Sequence, residues 1–117
     1  MAHKGSIDFA RKAKRVNEWG RKTVDKILSE PSLENFLSAS KEFAVKTGFA
    51  TERVKRLMSS AESAGAIGAT QNMLGEAVHA LVKRDNVKGV VETFGKVLPP
   101  DKIVETKVSL QGAQLVT

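Results

Sequence analysis

The chain has 117 residues, 41% hydrophobic and 27% charged, with a formal net charge of +6. These proportions suffice for one core and exclude disorder throughout. The absence of cysteine excludes a disulfide framework and a thiolate metal site, and His3 and His79 lack the spacing of a metal-binding pair.

Apolar residues from Ile7 to Leu28 (Phe9, Ala13, Val16, Trp19, Val24, Ile27 and Leu28) recur mostly every three or four positions, which predicts a helix with one buried face. Ser6 or Asp8 is the expected cap, and Gly20 marks a weak point, a bend or a close contact. Pro31 closes this helix by disfavouring helical geometry at Glu30. Ser32 then reads as the N-cap of a second helix, with Leu33, Phe36, Leu37, Ser40, Phe43 and Ala44 as its buried stripe and Gly48 as its stop. Thr51 caps a third, short helix in which Val54, Leu57, Met58 and Ala61 face inward. The short connection TGFAT predicts that the second and third helices pack as an antiparallel pair.

The pattern changes after Ala61. Residues 73–82, MLGEAVHALV, carry apolar groups on both faces and read as a central strand. Helical spacing returns over 86–97 with Val87, Val90, Val91, Phe94 and Val97, and LPPD forbids its continuation. KIVETKVSL alternates as a strand does, and QG followed by AQLVT suggests a turn and a closing strand. The order of elements predicts an α+β domain spanning 1–117, with helices packed on a small antiparallel sheet. The longest apolar run is too short to span a bilayer, so a cytoplasmic chain without membrane contact is expected.

Charge is uneven. Residues 1–30 hold eight basic side chains against four acidic ones, a local excess of +4 on one predicted helix. A basic helical module that binds nucleic acid is therefore the alternative functional reading. The segment has no glycine–aromatic interleaving for base stacking, so a solvated charged face is preferred.

The remaining puzzle is SAGAIGATQNMLGEAVHALV, residues 63–82, with three glycines where a loop ordinarily needs one. Glycine lets successive backbone amides approach an anion, but neither G-x-x-x-x-G-K-[ST] nor G-x-G-x-x-G is present. By spacing alone a structural loop and a ligand-facing loop both stay open. The blocks SLENFLSASKEFAVKTGF, A-x-x-NMLGEAVHAL and K-V-x-x-x-GAQLV, in this order, resemble the C-terminal half of the archaeal pantoate kinase family, within the GHMP small-molecule kinases.

That resemblance implies a ferredoxin-like C-terminal lobe whose glycine-rich segment borders the nucleotide phosphates and the acceptor. Gly65, Gly68, Ala69, Thr70, Gln71, Asn72, Met73 and Gly75 are then the loop facing substrate or phosphate, with Thr70, Gln71 and Asn72 placed to hydrogen-bond substrate oxygens. Residues 74–82 would be the strand leaving the loop, with His79 a structural residue of that strand rather than a base. Lys4 and Arg11 are candidates to screen anionic groups. ATP and Mg2+ are implied as cofactors and pantoate, in coenzyme A biosynthesis, as substrate. The family's proline-, glycine- and serine-containing nucleotide loop and its catalytic carboxylate have no counterpart in this sequence. The expected partner is thus a nucleotide-binding lobe or subunit, and the chain alone is not expected to be active. Exposed apolar strips on the first helix would also allow self-association, as in an oligomerising regulatory domain.

Overall fold

The structure, a computed structural model, describes residues 4–72, 75–113 and 115, with side chains described from Ala10 onward. It is α+β, as expected: among the described residues, four helices pack on a two-stranded antiparallel sheet. The helices are α1 (Lys4–Ser29), α2 (Leu33–Lys46), α3 (Glu52–Ser63) and α4 (Val87–Gly95), and the strands are β1 (Gly68–Gln71) and β2 (Val78–Leu81).

The helix starts follow the capping chemistry. The Asn35 amide donates to Ser32 Oγ at 3.1 Å and the Val54 amide to Thr51 Oγ1 at 3.2 Å, each satisfying an amide that has no partner within its helix. The first helix begins at Lys4, so Ser6 and Asp8 lie inside it rather than before it. Its turn into α2 is tied by Asn35, whose side-chain amide donates to the carbonyls of Lys26 and Glu30, both at 2.8 Å. Trp19 marks the α1–α2 seam, with the Lys22 ammonium 4.5 Å and the Lys46 ammonium 5.7 Å from its ring centre.

The predicted stripe of α3 is borne out: Val54, Leu57, Met58 and Ala61 are all buried. That of α2 is narrower than expected. Leu37 and Ala44 are buried with Ala39, whereas Leu33 and Phe36 stay about half exposed. On α4 Val90 is buried and Val97, beyond the helix end, is exposed.

The second and third helices do not form the expected direct pair. The second packs on α1 and β1, and the third on β1, β2 and α4. Successive strand residues point to opposite faces. Gly68 and Thr70 turn toward α2, while Ala69 joins Val54, Met58, Ala61 and Val90 in the main core. The sheet packs against both helix pairs, and Ala44 of α2 also joins the main core directly. An ion pair from Lys41 to Glu62 at 2.8 Å also links α2 to α3.

Two strand expectations need correction. Residues 74–82 do not form one central strand: Gly75 and Glu76 bend, β2 is confined to Val78–Leu81, and His79 is exposed rather than part of the core. Residues 102–110 form no strand. After a 3-10 turn at Pro100–Lys102, the backbone to Ser109 has no regular structure, and Val104, Val108 and Leu110 are exposed. Among the described residues no strand pairs with them, and alternation alone does not bury a side chain. The predicted closing strand over 113–117 falls largely outside the described residues.

Candidate functional site

The glycine-rich segment resolves into three different pieces. Gly65 terminates α3 with φ +106°. Its amide donates to the Glu62 carbonyl, and the Ala66 amide donates to the Ala61 carbonyl, the paired bonds of a Schellman closure. The Asn86 side chain covers this turn, donating to the Gly65 carbonyl at 3.2 Å.

Gly68 begins β1, and its lack of a side chain is what lets the strand approach α2. A Cβ at this position would meet Leu37 Cβ at 2.7 Å, nearer than side chains tolerate. The loop expected over Gly68, Ala69, Thr70 and Gln71 is thus a strand, buried at all four positions. It runs antiparallel to β2 with Thr70 opposite His79 and Gln71 opposite Val78. Asn72 is exposed just past the strand, its amide donating to the Ala77 carbonyl at 2.8 Å, and Gly75 is exposed at the hairpin bend. Met73 lies outside the described residues, as does the side chain of Lys4; Arg11 is exposed.

Burial does not remove β1 from every hollow. A cavity of about 290 Å³ lies between α1, α2 and the sheet. Phe36, Phe43 and Phe49 contribute its apolar wall, and Thr23, Ser40, Thr70, Gln71 and His79 its polar positions. Phe43 and Phe49 meet with their ring centres 6.5 Å apart, and the Lys12 ammonium sits 4.4 Å from the Phe49 ring centre. Gln71 stitches the site together. Its Nε2 donates to the Phe49 carbonyl at 3.0 Å and to the Gly75 carbonyl at 2.7 Å, joining the α2–α3 connection to the hairpin bend.

Of the residues expected in the glycine-rich segment, the structure places Thr70 and Gln71 on this hollow. Thr23, Ser40 and Phe49 join them from distant parts of the chain that share no local motif. A larger groove of about 830 Å³ lies between α3 and α4, rimmed by Arg53, Lys55 and Arg56 and floored by Leu57 and Val97.

The chain is 33% identical over 75 residues, 64% of its length, to "Pantoate kinase" of Methanocaldococcus jannaschii, in that protein's C-terminal region. This supports a pantoate kinase-like domain. The match covers 27% of the relative's length. No family model matches the chain, and no solved structure matches it.

A kinase relative implies a nucleotide and a metal ion in general. The described residues do not fit a metal: no three His, Cys, Asp or Glu side chains cluster among them. The 290 Å³ hollow, at the lower bound of small-molecule sites, is also too small for a nucleotide. No described helix is long and apolar enough to cross a membrane.

Proposed function

We propose that this chain is the substrate-side lobe of an ATP-dependent small-molecule kinase, acting on pantoate in the cytoplasm as a step of coenzyme A biosynthesis. The supporting observation is the 33% identity to the C-terminal region of a pantoate kinase. The aromatic and polar hollow beside β1 is consistent with a lobe that holds a small acceptor.

Phosphoryl transfer depends on positioning and on charge neutralisation at the transferred group. The nucleotide phosphates and their Mg2+ would be held largely by a nucleotide-binding lobe, either in a longer chain or in a separate subunit. Residues 1–117 act as one unit within that enzyme. They hold and orient the acceptor, and the segment from Gly65 to Gly75 borders the cleft. Alone, the chain is inactive.

The test mixes the chain with a nucleotide-binding lobe of a pantoate kinase, ATP, Mg2+ and pantoate, and follows ADP release. Turnover that needs both components is the expected result. Neither association nor turnover by the pair would overturn the assignment.

A nucleic-acid module remains the second reading, motivated by the +4 excess in the first thirty residues. Three of those cations are already engaged: Lys12 over Phe49, Lys22 with Glu18 and Trp19, and Lys26 with Glu42. That ranks it lower. Retention on heparin that falls steeply with salt is its signature.

A further inference from the structure

The two-stranded sheet is closed on one side only. Strand β1 is buried at all four positions, whereas along β2 Val78, Ala80 and Leu81 are half-buried and His79 is exposed. The Asn72 amide donates to the Ala77 carbonyl and the Ile67 amide to the Leu81 carbonyl, both at 2.8 Å. Peptide groups along an antiparallel strand alternate in facing the partner. Residues 77, 79 and 81 therefore turn theirs toward β1, and Val78 and Ala80 turn theirs to the outer edge. Among the described residues, no hydrogen bond from another segment reaches those outward groups. Such an edge is a template for one more strand, and two strands alone make a marginal sheet. Val78, Ala80 and Val82, on the face of β2 that packs against the main core, are themselves only partly buried.

The chain carries a matching strand that is left unpaired. From 103 to 110, a period of two puts Val104, Thr106, Val108 and Leu110 on one face, and Ile103, Glu105, Lys107 and Ser109 on the other. The three large side chains of the first face are 86%, 73% and 101% exposed. Within its own chain this segment follows the 3-10 turn at Pro100–Lys102 and pairs with no described strand.

We propose that residues 103–110 of a second copy add as an antiparallel strand to the outer edge of β2, and that the exchange is reciprocal. Each copy offers one open edge and one unpaired strand, so a two-fold axis satisfies both and the assembly closes as a dimer. The face bearing Val104, Thr106 and Val108 continues the Val78 and Ala80 side of the sheet. Charge sets the register, with Glu105 opposite His79 and Lys107 one position from Glu76. A slip of two residues would set Lys107 against His79 instead, two basic groups face to face. Thr106 then lies opposite Val78, and Val104 opposite Ala80. The edge and the segment carry this inference without the kinase reading.

Sedimentation equilibrium of the 117-residue chain should give the mass of two chains at high concentration and of one on dilution. Thr106→Pro removes an amide that the pairing directs at the Val78 carbonyl, and Thr106 is exposed in the single chain. It should raise the dissociation constant of the dimer at least about tenfold while leaving the circular dichroism of the helices unchanged. In the dilute monomer, substitutions at Val104 and Val108 leave unfolding as it is and weaken only the dimer.

Cross-linking identifies the contact itself, because the chain has no cysteine of its own. His79→Cys mixed with Glu105→Cys should give a disulfide between two different chains under mild oxidation. Directly opposed residues lie roughly 4.5–5.5 Å apart between Cα atoms, within disulfide reach. Each variant alone should give far less cross-linked dimer than the mixture.

A chain that stays monomeric at every concentration overturns the proposal. So does a dimer that Thr106→Pro leaves untouched, which would place the contact on another surface. A chain carrying both cysteines that closes on itself as a monomer would show its own segment on the edge, and removes the second copy.

Discussion

Two short stretches of this chain exchange the roles their sequences suggest. Gly68–Gln71 reads Gly-Ala-Thr-Gln, with one β-branched residue and a glycine, yet it is a strand buried at every position. Residues 102–110 read Lys-Ile-Val-Glu-Thr-Lys-Val-Ser-Leu, rich in β-branched residues and well alternated, yet they form no strand, and Leu110 is fully exposed. The difference lies in what surrounds each. Helices α2 and α3 both pack on β1, and β2 supplies its hydrogen bonds; among the described residues the later stretch pairs with no strand and lies mostly exposed. Strand formation here follows the neighbours that cover a segment more than the propensity within it.

The largest expected effect breaks the cover over β1. Met58 is fully buried and belongs to the cluster that includes Ala69. Met58→Ala should cost about 2–5 kcal/mol in urea denaturation, through the cavity it leaves beneath the strand. A loss below about 1 kcal/mol would mean that the α3 side of the strand is not closely packed.

Gly68→Val tests the opposite side. Its new side chain would run into Leu37, for an expected loss of about 1–3 kcal/mol. Combining it with Leu37→Ala should recover part of that loss in a double-mutant cycle, because the two sites share one space. Strict additivity would break the claim that glycine is needed there for close approach.

Gly65→Ala places a side chain at φ +106° and should cost about 1–3 kcal/mol, read by the same denaturation, because that backbone is strained for any residue with a Cβ. Thr51→Ala removes the cap of α3 and should cost about 1 kcal/mol. At the small end, Val104→Ser and Val108→Ser should each change stability by less than about 0.5 kcal/mol, since both side chains are exposed. A loss above 1 kcal/mol at either would reveal a packing role for the stretch and dissolve the contrast with β1.

What could be read from the sequence was local. Ser32 and Thr51 as caps, and Val54, Leu57, Met58 and Ala61 as one face, depend on residues within a turn or two of each other. The strand β1 depends on Leu37 arriving from thirty-one positions earlier, so its glycine looked like loop chemistry. The hollow was half legible for the same reason. Thr70 and Gln71 lie in a segment unusual enough to notice, whereas Thr23, Ser40 and Phe49 acquire meaning only when α1 and the α2–α3 connection fold over the sheet.

The position of Trp19 has a practical consequence. It is the single tryptophan of the chain, and it sits between the ammonium groups of its own helix and of the next one. Indole emission responds to nearby charge, so the natural chain carries its own optical gauge of whether the first helix is seated. Departure of that helix, by heat, denaturant or a competing surface, can be timed without attaching a dye.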